Sequence, residues 1–270
     1  MVKNMKKERI NMVGGGFQHD ICSSANNIPK YVEWIKDYSA NLSIHIDHSI
    51  FNFPVNNRKI NYAWIVEARA IIPDVYNACR KNISFLEDNY EFIFTHDEDL
   101  AKISPKFKLV LCNARTWITT PGINKKTKLI SMIASSKVLC PEHSYRQTII
   151  QKYKNQIDHY GRGFKEILHK EEGLNDYCFS IAMENGNYPV MFTEKITDCF
   201  AVGAIPIYYG ADTINKYFNS DGIIMLTDKL LLDNLSYDYY ESKMDAIKDN
   251  FERTVALPIA EDYIYERYIK

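Results

Sequence analysis

The chain lacks the marks of several large protein classes. Its six cysteines in 270 residues include no C-x-x-C pair and mostly lie within or beside apolar runs. That excludes a disulfide-stapled secreted scaffold and a cysteine zinc site, and it points to reduced, buried thiols. No apolar run approaches the ~20 residues that a membrane-spanning helix needs, and the basic start MVKNMKKERINMVGGG has no apolar core long enough for a signal peptide. Formal net charge is −1, with lysines dispersed rather than clustered, so a nucleic-acid or anionic-membrane surface is not indicated. There is no internal repeat and no low-complexity segment. The expectation is a cytoplasmic globular protein with no integral membrane segment, of one large or two medium domains.

Short apolar runs alternate with amphipathic segments, the pattern of an α/β protein with a mainly parallel sheet. The runs are Ile10–Val13, Leu42–Ile46, Glu91–Thr95, Phe107–Cys112, Leu129–Ala134, Tyr177–Met183, Ala204–Tyr209 and Ile223–Leu226. Helical spacing is read at Ile28, Tyr31, Val32 and Ile35, over Val75–Leu86 behind Pro73 and Asp74, over Glu142–Tyr153, over Tyr237–Phe251, and from Glu261 to the end. The polar, turn-forming stretch TTPGINKKTK breaks the pattern and reads as an interdomain linker. It divides the chain into an N-terminal domain, 1–120, a C-terminal domain, 125–250, and a helical tail, 251–270.

Chemistry-bearing residues are few. Gly14-Gly15-Gly16 follows the first strand but lacks the spacing of a dinucleotide fingerprint, so ligand approach and a plain turn both remain open. Glu67 is the one carboxylate in INYAWIVEARAII; it pairs with Arg69, lies just past a strand end, or lines a cleft as a base. His96-Asp97-Glu98-Asp99 fits a helix N-terminal turn, with metal ligation the alternative. Arg162 between two glycines fits an anion-binding loop or a solvated turn.

The densest stretch is FSIAMENGNYPVMFTEKITDCFAVGAIPIYYG, which reads strand, loop, helix, strand. Thr193 suits the N-cap, Ile196, Cys199 and Phe200 share one face, and Gly203 suits the C-terminal stop. A helix opening beyond the carboxyl end of a strand offers N–H groups and a dipole to a phosphate. Lys195 would meet that charge, and Glu194 would reach sugar hydroxyls. Cations in the C-terminal half and an isolated carboxylate in the N-terminal half suit transfer of a group from an activated phosphate donor to a hydroxyl.

This stretch resembles the signature of the α-1,3/1,4-fucosyltransferase family (glycosyltransferase family 10). Weaker similarity covers KTKLISMIASSK with HSYR, and WIVEAR with YEFIFTHDEDL. The resemblance implies a GT-B fold, two Rossmann-like domains facing across a cleft, and inverting transfer of L-fucose from GDP-fucose to a glycan hydroxyl. It implies Glu67 as the catalytic base, and Arg146, Glu184, Asn185, Tyr188, Thr193, Glu194 and Lys195 around the donor, which Arg162 would join. No cofactor or metal is expected. Tyr209 stands where the family commonly has Trp, and the Glu67 segment lacks the proline that usually follows. The alternatives are another nucleotide-sugar donor on the same fold, or a non-catalytic sugar-nucleotide or glycan-binding protein. Acceptor specificity is expected in loops such as Gly14–Asn26 and Asn52–Asn61; oligomeric state has no signal in the sequence.

Overall fold

The structure, a computed structural model, describes residues 6–15, 21–111 and 114–270. The chain forms two compact units, Met1–Asn113 with Pro258–Lys270, and Ala114–Leu257.

The first unit holds strands β1 (Glu8–Val13), β2 (Val32–Ile35), β3 (Leu42–Ile46), β4 (Ile60–Ile65), β5 (Phe92–Thr95) and β6 (Phe107–Leu109). They make one parallel sheet in the order β2-β1-β3-β4-β5-β6. Every residue of β3 is buried, as expected of a parallel strand covered on both faces. Helices α1 (Ser49–Asn52), α2 (Pro73–Lys81), α3 (Ile83–Asn89) and α4 (Glu98–Ala101) follow the strands. One core gathers Ala63, Ile65, Tyr76, Leu86 and Ile93; the other gathers Ile10, Ile44, Trp64 and Phe94.

The second unit holds β7 (Lys128–Ile133), α5 (Pro141–Tyr153), β8 (Asp158–Tyr160), β9 (Tyr177–Met183), α6 (Glu194–Ala201), β10 (Ile205–Tyr209), β11 (Ile224–Met225), α7 (Tyr237–Glu241) and α8 (Met244–Ala256). Its sheet is also parallel, in the order β11-β10-β9-β7-β8. The strand order reverses between β7 and β9, and a crevice opens at the carboxyl ends of such a pair.

Four expectations are corrected. Val32–Ile35 is an edge strand paired with β1, not part of a helix: ladder bonding to β1 outweighs a fortuitous helical spacing. The Val75–Leu86 helix is two helices, which meet at Asn82 in a non-helical backbone conformation. The chain passes between units at Asn113/Ala114, not at 120–125. The polar stretch is tied into the second unit: Gly122 N donates to Ala201 O at 2.9 Å, and Thr119 N and Oγ1 donate to Glu171.

The tail from 251 is likewise not a separate element. Residues up to Ala256 complete α8, whereas α9 (Ala260–Ile264) belongs to the first unit. Buried Glu261 accepts from Ser23 N and Oγ, and Asp262 accepts from Lys30 N and Tyr31 N. Gly16 and Cys112 lie outside the described residues, as does part of the loop Gly14–Asn26. The five described cysteines are buried and unpaired with one another. No helix among the described residues is long and apolar enough to cross a membrane.

Candidate functional site

The loops after β7 and β9 flank the crevice of the second unit, and most of the sequence-selected residues lie there. Arg146 projects from α5, which follows β7, and is 7% exposed. Its Nη2 donates to the carbonyls of Ser135 (3.3 Å) and Lys137 (3.1 Å), while its Nε is buried with no hydrogen-bond partner among the described residues. Burial lowers its pKa, so the cation is held at a cost that a nearby anion would repay. Arg162 is exposed, in a turn between Gly161 (φ 126°) and Gly163 (φ 86°). The turn backs onto the β7 loop, with Ser136 N donating to Arg162 O at 3.0 Å; its side chain makes no recorded contact with the other selected residues.

Glu184 and Asn185 follow β9. Glu184 is 1% exposed, and both its oxygens are used: Oε1 accepts from Thr193 N (2.8 Å), and Oε2 from Thr193 Oγ1 (2.8 Å) and Lys195 Nζ (3.2 Å). Burial nevertheless raises its pKa. Its contacts are those of an internal anchor for the start of α6 rather than of a ligand contact.

Asn185 Oδ1 lies 3.0 Å from His143 Nε2. Leu139 N donates to His143 Nδ1 at 3.1 Å, so the neutral ring carries its proton on Nε2 and gives it to Asn185. Tyr188 is half-buried and packs over Gly186, where a Cβ would meet its ring at 2.2 Å. Tyr188-Pro189-Val190-Met191 turns on a Met191 N to Tyr188 O bond of 3.2 Å with Val190 at φ 67°, a conformation that usually needs glycine.

α6 forms as its ends dictate. Thr193 is the N-cap, its Oγ1 accepting from Lys195 N at 3.4 Å. At the other end Gly203, φ 73°, closes a Schellman motif: Gly203 N donates to Phe200 O (3.0 Å) and Ala204 N to Cys199 O (2.9 Å). Lys195 Nζ also contacts Thr193 Oγ1 at 3.1 Å, so the ammonium expected to meet a phosphate is already held by the protein. Glu194 accepts from Lys170 Nζ at 3.2 Å; burial would raise its pKa, but Lys170 and Lys195 bring it down to about 2.

Sequence reasoning missed Lys170, Asp198 and His143. Asp198 stands one helical turn beyond Glu194 and His143 three residues before Arg146, so helical spacing could have found both. Nothing local marks Lys170, which reaches α6 from the 3-10 turn Lys170–Gly173. Lys170 Nζ lies 2.6 Å from Asp198 Oδ2 and 4.3 Å from the centre of the Trp117 ring.

Glu67 belongs to the first unit, just beyond β4 and half-buried. It does not pair with Arg69, which bonds Asp97 and Asp99. Glu67 Oε1 instead accepts from Ala68 N at 2.8 Å. Asp47, left-handed at φ 49°, accepts from Val66 N (2.8 Å) and Glu67 N (3.2 Å), and its pKa is raised by burial to about 6. Asp97 is the N-cap of α4, accepting from Leu100 N at 2.9 Å, which is the helix-start reading of the acidic run.

These two parallel α/β units have the fold of the GT-B glycosyltransferases. Crystal structures of an α1,3-fucosyltransferase with GDP (TM-score 0.50, 13% identity, 96% of this chain and 84% of that one) and with GDP-fucose (TM-score 0.51, 14% identity, 94% and 82%) share it. So does a DNA-modifying β-glucosyltransferase (TM-score 0.51, 11% identity, 92% and 94%).

Residues 123–236, within the second unit, match the model of the C-terminal domain of glycosyltransferase family 10 (fucosyltransferase). A putative fucosyltransferase of Acanthamoeba polyphaga mimivirus is 23% identical over 197 residues, 65% of this chain and 32% of its own length. The α-(1,3)-fucosyltransferase of Helicobacter pylori is 34% identical over 62 residues, 23% of this chain and 13% of its own. The matched part is thus about a third or less of these relatives' length.

Proposed function

We propose that the protein is an inverting glycosyltransferase that moves L-fucose from GDP-fucose to a hydroxyl of a glycan acceptor. The observation that carries this reading is the buried Arg146 with its unpartnered Nε, set beside the β7/β9 crevice in the segment that matches family 10. Arg146 and Lys195 would meet the diphosphate, and Glu194 the ribose hydroxyls. The acceptor oxygen attacks the anomeric carbon opposite the diphosphate. The bond from carbon to phosphate oxygen breaks, its electron pair leaves with GDP, and the acceptor proton passes to Glu67.

The transfer is proposed to need no metal, because the arginine, the lysine and the α6 N-terminus supply the positive field. Turnover unchanged by a chelator is the expected result.

The test is turnover of purified protein with GDP-fucose and a panel of glycan acceptors. Lys195→Ala and Glu67→Gln are each expected to lose most activity, and an unchanged rate would remove that residue from its role. Stabilisation against heat by UDP-sugars but not by GDP or GDP-fucose would favour a different donor. Tyr209 favours keeping that second reading: its ring lies 5.2 Å from Tyr145 at the end of β10, where relatives commonly place a larger indole. Donor binding without transfer or hydrolysis would make the protein a binding protein only.

A further inference from the structure

We infer that Lys170 is a positioning residue for nucleotide recognition, holding the Glu194 carboxylate in place to read the ribose hydroxyls of the donor. The inference rests on the donor reading above, but the observations behind it concern the chain's own charges.

Lys170 stands between two carboxylates on successive turns of α6, at 2.6 Å from Asp198 Oδ2 and 3.2 Å from Glu194 Oε1. The two carboxylates are not equivalent. Asp198 is 1% exposed, and its other oxygen accepts from Thr116 Oγ1 and Trp117 N, each at 2.7 Å. Every Asp198 oxygen thus serves the protein, and the Trp117 ring backs the Lys170 ammonium at 4.3 Å. This frame fixes the lysine in one place.

Glu194 differs in that its side chain keeps 11% of its surface exposed, against 2% for Asp198, while Lys170 holds its Oε1 and the Thr193 side chain also bonds its carboxylate. Glu194 opens α6, where the helix dipole favours an acid, and Lys170 and Lys195 keep its carboxylate ionised. Lys170, itself fixed by Asp198 and the Trp117 ring, sets where that carboxylate points. A charged, pre-oriented carboxylate fits a recognition role, since a hydrogen-bonding site for hydroxyls needs a fixed acceptor.

The test is calorimetric titration with GDP and with 2′,3′-dideoxy-GDP. Wild type is expected to bind GDP about 10-fold or more tightly than the dideoxy analogue, the scale of a charge-assisted hydrogen bond. Lys170→Met is expected to weaken GDP to the level of the analogue while changing the analogue by less than about 2-fold; Lys170→Arg, which can still bridge both carboxylates, should recover part of the preference. Should Lys170→Met not fold, Lys170→Met with Asp198→Asn removes both buried charges and keeps an acceptor for Thr116 and Trp117.

A merely structural role for Lys170 would weaken both nucleotides equally. That outcome, or an undiminished preference for GDP in either variant, overturns the inference while leaving the donor reading intact. Wild type that binds neither nucleotide overturns the donor reading, and the inference with it. Wild type that binds both equally removes ribose recognition by Glu194, again independently of the fucosyl-transfer reading.

Discussion

Lys195 Nζ stands 3.2 Å from Glu184 Oε2 and 3.1 Å from Thr193 Oγ1, so the cation at the start of α6 is already ordered by groups of its own unit. The carboxylate that orders it is inaccessible, which separates two acids that lie only ten residues apart in the chain. Glu184 builds the platform, and Glu194 stands on it. An anion reaching Lys195 meets an ammonium whose position has been set beforehand, so less conformational entropy is lost on binding.

Glu184→Gln tests the platform. The amide oxygen can still accept from Thr193 N, but the amide nitrogen replaces an oxygen that now takes Thr193 Oγ1 and Lys195 Nζ. One buried hydroxyl must turn round, and the ammonium, partly open to solvent, loses its carboxylate partner. Urea unfolding is expected to show a loss of about 1–3 kcal/mol. No loss would mean that the site repacks freely.

Arg146→Lys tests the crevice. The guanidinium spends Nη2 on the Ser135 and Lys137 carbonyls and still carries Nε and Nη1, whereas a lysine has a single nitrogen for the same duties. GDP affinity is expected to fall by roughly 10- to 100-fold, or about 1.4–2.8 kcal/mol, measured by calorimetry. Unaltered affinity would take Arg146 out of the site.

Elements defined by their own ends were legible in the sequence. Thr193 and Gly203 bracket α6, the apolar run of β9 is flanked by polar residues, and Leu42–Ile46 coincides with β3. What depends on distant partners was not legible. Val32–Ile35 is a strand only because β1 offers an edge, and the unit boundary precedes the glycine- and proline-bearing turn because that turn ties down the end of α6. Lys170 belongs to the site through contacts 24 and 28 residues away, which no local period records. The roles proposed for Glu67 and for most donor-side residues rest on resemblance, those of Glu194 and Lys195 also on the helix start they occupy, and the geometry adds what each group is bonded to.

The buried imidazole of His96 gives the first unit a pH dependence. His96 is 3% exposed, and burial lowers its pKa from 6.5 to about 4, against a smaller upward pull from Asp97. A base whose folded pKa is depressed stabilises the fold fully above its unfolded value and loses that contribution as pH falls through the folded value. Folding stability should therefore drop by roughly 3 kcal/mol from this group between pH 6.5 and 4. His96→Gln, which cannot titrate, should flatten that limb relative to wild type in urea titrations at stepped pH. Parallel curves for the two proteins would show that His96 does not carry the effect.

Gly203 combines two constraints that a pair of variants can separate. Its φ of 73° is costly for any residue with a Cβ, and a Cβ built there would stand 2.8 Å from Ile123 Cγ2, at the turn that closes over the end of α6. Gly203→Ala should cost about 1–2 kcal/mol for the left-handed backbone, plus a steric part that depends on how far Ile123 can move. Ile123 is 38% exposed, so truncating it removes little burial of its own. Adding Ile123→Ala to Gly203→Ala should return the steric part and leave the backbone part, giving a coupling energy between the two sites in a double-mutant cycle. Strict additivity would mean that the side chain swings clear unaided and that the whole cost lies in the backbone. In either case the C-terminal stop of α6 is set by the conformation of one glycine, and the register of β10, which starts two residues later, depends on it.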